Sequence, residues 1–390
     1  MSSRRLALRR ALTGCACAVG VLVLSGAGCT TSASSPTISG KALTIYISDP
    51  ASLASDPAAQ DVVRAEQLAY SQLHGSVTAY RLSLAQPLTA DKISSNARAA
   101  IDDSHAIAYL GEVIPGSSAD SIGITNSQDL LQVSPTDGAV ALTQKSAAVA
   151  GSPDHYYESF SSYGHTFARL VPTTSHEASV LVAEMAALGV RTLHVESDGS
   201  DYGRALAAAI AANRSGVSSA ASAAAADGVL YAGTSASTAE AALNSAMAAN
   251  PRLKLFVPSA LALAGPAFVQ ALSPSAQKAL YATAPGLLPS SLTPAGRTFL
   301  SGFRSAYGHD PSAGAIFGYA AMQAVLHVLS QAGSQAGNRG TVVSDFMKLS
   351  YADSVIGSYS IDRQGDTSST AFVLERPKAG ALVPVKSLQG

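Results

Sequence analysis

Residues 167–212, FARLVPTTSHEASVLVAEMAALGVRTLHVESDGSDYGRALAAAIAA, constrain the fold more than any other stretch of this chain. Thr174 and Glu177 have the spacing of a capping box, and Ala178, Leu181, Val182, Met185 and Leu188 follow on one helical face until Gly189 supplies a stop. Positions 190–196 read as a short strand, 197–203 as a turn-rich loop carrying Tyr202, and 204–212 as an alanine-rich helix. Helix, strand, loop, helix is half of a parallel α/β layer. A second such pattern lies upstream: strands at 43–47, 77–84 and 106–110 alternate with helices at 61–73 and 91–102. Right-handed crossovers make βαβαβ with short connections a parallel sheet.

The chain opens with MSSRRLALRR, then an apolar run that ends at Cys29. A basic segment, an apolar segment and small residues before a cysteine make an export leader of the lipoprotein kind, residues 1–28, too short for a permanent span of roughly 20 apolar residues. Cys29 is the expected lipidation site; Cys15 has the better local match but almost no apolar run before it. The paired Arg4 and Arg5 leave twin-arginine export open beside the general route. All three cysteines fall in or at the edge of the leader, so the exported body has no thiol chemistry or disulfide. Its removal takes four arginines and no acid, leaving 21 basic against 26 acidic side chains and disfavouring nucleic acid as a partner. Residues 29–40 read as a polar tether in which nothing packs. The roughly 350 residues beyond it exceed one ordinary core, so two domains are expected.

F-x-R-x-x-P at 167–172, the capped helix, the L-G-V-x-x-L-x-V run and D-Y-G-R-A-L at 201–206 together resemble the leucine/isoleucine/valine-binding family of bacterial solute receptors, type I periplasmic binding proteins. Leu130–Pro135 and the G-x-x-x-x-D-x-x-G-D pattern ending at Asp366 extend the resemblance from about Leu43 to the C-terminus. It implies an α/β fold of two Rossmann-like lobes with parallel sheets joined by a multi-strand hinge: lobe I from 41–168 plus 284–354, lobe II from 169–283 plus 355–390. The implied function is an extracytoplasmic, lipid-anchored receptor, a monomer, that carries a small polar ligand (amino-acid-like, an amide or a short acid) to the permease subunits of an ABC importer. A ligand-sensing lipoprotein partnered with a membrane sensor is the alternative.

Ligands of open α/β sheets collect at the carboxyl ends of strands. Tyr202, in the loop after the 190–196 strand, is the leading candidate contact by its match to the family tyrosine. Gly116, Ser117 and Ser118 follow the 106–110 strand and resemble the family's carboxylate-binding loop, where hydroxyls and free N–H groups suit an anion; either serine also reads as a helix N-cap. Asp137 and Gly138 stand where the family holds the amino-acid head group, and depart from its pattern: Gly138 has no hydroxyl, and Asp137 could pair with an ammonium, repel a carboxylate, or be a solvated turn residue. Thr234 and Ser259 each follow a strand on the same edge and are contacts or caps. The 145–165 insertion, with His155, Tyr156, Tyr157 and Glu158, reads as a cleft rim or a surface loop. No nucleophile elbow, H-E-x-x-H or phosphate loop is present, so no catalytic residue, cofactor or metal is assigned.

Overall fold

The structure, a computed structural model, describes residues 35–74, 79–157, 164–214 and 216–388. The leader, Cys29, Glu158 and Phe160 lie outside the described residues.

Strand β1 (Ala42–Ile47) alternates half-exposed and buried side chains, whereas β3 (Ala106–Leu110) is buried along its whole length. Continuous apolar runs such as AIAYL belong in the middle of a sheet covered on both faces. Together with β2 (Arg81–Leu84), β4 (Leu131–Ser134) and β5 (Phe167–Arg169), these strands form a five-stranded sheet in the order β2-β1-β3-β4-β5, every pair parallel. The helix Pro57–Leu73 starts cleanly because the Asp56 carboxylate accepts from the N–H groups of Ala58 and Ala59 and proline occupies the first turn. It buries Ala59, Val62, Val63 and Ala69 against the helix Ala315–Ala332. A Cβ on Gly318 would run into the Val62 carbonyl, so the closeness of these two helices depends on that glycine.

The second sheet repeats the plan. β6 (Thr192–Ser197), β7 (Ser218–Ser219), β8 (Gly228–Ala232), β9 (Lys254–Val257) and β10 (Leu280–Pro285) lie in the order β7-β6-β8-β9-β10, again parallel. Beyond β10 come two antiparallel strands, β13 (Phe372–Lys378) and β14 (Ala381–Leu388). A separate hairpin, β11 (Ser350–Ser354) with β12 (Gly357–Ser360), packs on the core of the first sheet through Tyr359 and Val355. The chain leaves the first sheet after β5, returns after β10, and crosses again between β12 and β13. The α/β class with two parallel sheets is as expected.

Two local expectations are corrected. The helix Thr174–Ala187 is not held by a capping box: Thr173 is the cap residue and makes no side-chain cap bond, while Glu177 reaches away to the second sheet. Residues 36–40 are not a free tether, because Ile38 is buried, its N–H bonds to the Gly337 carbonyl, and Thr37 bridges Asn338. The alanine tract 220–226 holds a 3-10 turn, Ala223–Ala225, and β13 runs to Lys378 before β14.

One buried ionic link ties the crossings down. Arg169, fully buried at the end of β5, has its Nε 2.9 Å from Asp366 Oδ1, at ion-pair distance though off the line a hydrogen bond needs. Its Nη1 donates to the Asp137 and Ala139 carbonyls (3.0 and 2.8 Å) and its Nη2 to Thr143 Oγ1 (2.7 Å). Asp366 in turn accepts from Thr143 and Gln144 (2.9 and 2.6 Å). Between β12 and β13, Gly365 sits at φ +89°, and a Cβ there would strike the Phe167 carbonyl. On the opposite flank Lys386 of β14 reaches Glu184 at 2.6 Å.

Candidate functional site

The carboxyl ends of both sheets face each other, and in this structure the two rims are in contact. The ideal Cβ position of Gly116 lies 3.3 Å from the Tyr202 Cβ, so the first-sheet loop and the second-sheet helix Asp201–Asn213 meet at the residues singled out from sequence. The Thr174 N–H donates to the Gly138 carbonyl (2.7 Å) and the Val140 N–H to Thr174 Oγ1 (3.1 Å). One apolar cluster runs across the contact, from Ile122, Val140 and Leu142 to Leu181, Tyr202 and Leu206. The arrangement is a closed one.

On the first-sheet side the loop after β3 forms an anion cradle. Gly116 adopts φ +91° and is itself the cap residue of the turn Ser117–Asp120, without a side-chain cap bond, so neither serine caps it. This turn aims successive N–H groups inward. The occupant is the chain's own Asp137, fully buried rather than solvated: Oδ1 accepts from Gly116 N (2.6 Å) and Ala139 N (3.0 Å), and Oδ2 from Ser118 N (3.0 Å). Burial pushes the Asp137 carboxyl up from its ordinary range, opposed by the Arg169 charge and these three N–H donors. The Ser118 hydroxyl accepts from Glu112 N (3.2 Å), and the Ser117 hydroxyl donates to the Ile114 carbonyl (2.5 Å). Gly138 is required by space, since a Cβ would sit 2.8 Å from the Pro172 carbonyl.

The second-sheet side holds another internal carboxylate. Glu177 accepts from Ser259 N (2.7 Å), Thr283 Oγ1 (2.7 Å), Tyr202 Oη (3.0 Å) and Ser259 Oγ (3.1 Å). Burial raises its carboxyl, and the four donors work against that rise. Tyr202 and Ser259 are brought together here, both buried. Thr234 is not with them. Its N–H donates to Asp198 Oδ2 (2.7 Å), which lines a shallow depression of about 680 Å³ with Ser200, Tyr231 and Thr238. Burial works against ionisation of Asp198, yet donors from Ser200, Thr234 and Ser235 hold its carboxyl below the usual range.

The insertion closes over the rim. Tyr156 Oη donates to Asp201 Oδ2 (2.6 Å), joining the turn Asp154–Tyr157 to the start of the helix that carries Tyr202. Tyr157 donates to the Leu142 carbonyl (3.0 Å) and stacks on His165. Burial raises the Tyr156 hydroxyl well beyond the ordinary tyrosine range, and the Asp201 carboxylate adds to it. Sequence reasoning assigned no place in the site to Arg169, Glu177, Asp198 and Asp366. Arg169 stood in the quoted F-x-R run, and Glu177 was absorbed by a capping reading that its spacing also satisfies. Beneath the cradle, Glu112 accepts from Ser48 (2.6 Å) and Tyr109 (2.8 Å), and burial lifts it to about 7.

Two parallel sheets, each with its second strand outermost, three crossings between them and facing carboxyl-end rims define the type I periplasmic-binding-protein fold. Among solved structures, the chain resembles a leucine-binding protein, LivK, from Thermotoga maritima MSB8 (TM-score 0.72, 16% identity, 90% of this chain and 99% of that one). It also resembles an ABC transporter substrate-binding protein from Desulfitobacterium hafniense in complex with Leu (0.70, 20%, 88% and 100%) and a solute-binding protein from R. palustris in complex with benzoate (0.65, 16%, 89% and 96%). No family model matches the chain, and no curated protein matches it.

Proposed function

We propose that this chain is an extracytoplasmic solute-binding protein that captures a small molecule between two lobes and presents it to the permease of an ABC importer. The observation that carries this reading is likeness along nearly the whole chain to ABC-transporter substrate-binding structures. Those neighbours also favour a binder over an enzyme. The lobes are taken as 41–168 plus 284–354 and 169–283 plus 355–390, save that residues 355–361 pack on the first-sheet core and go with the first lobe, and Ala284 and Pro285 end a strand of the second sheet. Opening about the three crossings would separate Gly116, Ser117, Ser118, Asp137 and Gly138 from Tyr202 and Ser259, which close on one another in the present form. Thr234 would stand apart beside Asp198. Closure is then set by the ligand's differential affinity for the closed form. A basic-then-apolar leader ending at Cys29 supports a lipid anchor on the outer face of the cytoplasmic membrane, and the working unit is a monomer.

The test is a thermal-shift screen of the purified chain against amino acids, amides, short acids, aromatic acids and amines, followed by small-angle scattering with each hit. A ligand at 100 times its Kd adds about 2.7 kcal/mol of stability. The expected result is at least one saturable hit whose binding changes the radius of gyration. A screen without any hit, or hits that leave the dimensions unchanged, would remove the reading.

A further inference from the structure

A cavity of about 560 Å³ lies between the two sheets, beside the central contact. Its walls come from both lobes: Pro57, Thr136 and Ile316 on the first-sheet side, and Leu263, Ala284 and Leu382 on the second. That volume suits a small organic molecule, and an occupant would touch both halves at once. The wall is mostly apolar. One exception stands out: Glu375, on β13, is 5% exposed and lines the cavity, on the same face of its strand as Val373. Among the described residues its carboxyl makes no hydrogen bond and no ion pair, and desolvation alone lifts it to about 7. The cavity's other buried acid, Asp61, is already satisfied by Arg64, His309 and the Ser312 N–H.

A buried carboxyl without a partner is costly unless something completes it. The central rims need no such partner, because Asp137 and Glu177 are each held by three or four donors of the chain itself. We infer that the solute is held in the cavity beside the hinge, and that it is an apolar molecule with a single amine, the amine paired with Glu375 and the body against Leu263, Ala284 and Leu382. This rests on the solute-binding reading above and adds the place and the chemical class. The basic side chains of the lining, Arg304 and His309, are already paired with Asp310 and Asp61, so an anionic analogue of the same shape meets the uncompensated Glu375 carboxyl and is rejected.

The probes are 2-phenylethylamine and, as the anion of matched shape, phenylacetate, titrated calorimetrically into the purified chain. Wild type is expected to bind the amine saturably and not the acid. Glu375→Gln, which keeps the shape and removes the ionisable group, should weaken amine binding about tenfold or more, the scale of a hydrogen bond to a charged group. Ala284→Leu fills the cavity without touching Glu375 and should abolish binding, a second readout should the first variant fold poorly. No amine binding by wild type, or equal binding by Glu375→Gln, overturns the inference. A different hit from the screen that binds Glu375→Gln unaltered would leave the solute receptor standing and remove only this pocket; failure of the whole screen removes both.

Discussion

Arg169 is the side chain whose loss the structure values most highly. Replacing it with methionine keeps much of the volume but strips Asp366 of its buried counter-charge and leaves the Asp137 and Ala139 carbonyls without the guanidinium. Breaking a buried pair from one side costs about 3–5 kcal/mol, because the remaining charge is uncompensated. The melting entropy of about 350 ordered residues, at roughly 2.1 cal/mol/K each, is about 0.7 kcal/mol/K. The melting temperature should therefore fall by about 4–7 °C. Differential scanning calorimetry at pH 7 reads this directly. Arg169→Met with Asp366→Asn removes both charges and should recover part of the loss, since the Asp366 carboxylate is gone while Asp137 and the two carbonyls still lack the guanidinium. If the single variant melts within 1 °C of wild type, or the double variant is worse than the single, the link does not hold the hinge as argued.

Gly365→Ala should destabilise by more than about 3 kcal/mol, since positive φ and a clash with the Phe167 carbonyl act together, whereas Gly308→Ala, at φ +78° with open space around it, should cost about 1 kcal/mol; paired melting curves check the contrast. Stability should fall as pH rises from about 4.5 to about 7. Glu112 and Glu375 are both lifted to about 7 by burial, so over that window the native state holds protons that the unfolded chain releases, each group costing on the order of 3 kcal/mol once ionised. Asp56, lifted to about 6 by burial, and His309, raised by its bond to Asp61, act in the same direction, while His165, lowered by burial, acts against it. Melting temperatures from pH 5 to pH 8 at fixed salt should decline, with Glu375→Gln flattening the profile; a flat or rising wild-type profile would refute the assignment. Tyr156→Phe loses the bond to Asp201 across the rim and should cost about 1 kcal/mol in urea unfolding.

The regular elements were legible because their signals are local. AIAYL reads as a strand from composition alone, and the first helix was placed at 61–73, four residues short of its start at Pro57. β14 was not, because Pro384 interrupts ALVPVKSL; proline is tolerated there since β14 is the outermost strand of its sheet. Gly116, Asp137, Tyr202 and Ser259 were legible as loop residues after strands, while the bonds they make were not. Asp137 and Glu177 carry the local signatures of a turn and of a cap, and nothing near them in sequence shows that their partners are the N–H groups of Gly116 and Ser118 and the Ser259–Thr283 pair. Arg169, near the middle of the chain, and Asp366, near its C-terminal end, are far apart in sequence, and only the fold makes them neighbours. Ile38 was overlooked because a single apolar residue in a Ser/Thr stretch has no periodicity to betray a buried place.

The cradle around Asp137 carries its own plug. A closed form built this way shuts on nothing but itself, and an incoming anion would first have to evict a tethered rival whose effective concentration no free solute matches. Exchanging that aspartate for a residue lacking the acid would leave the N–H groups of Gly116, Ser118 and Ala139 without their acceptor at a stroke.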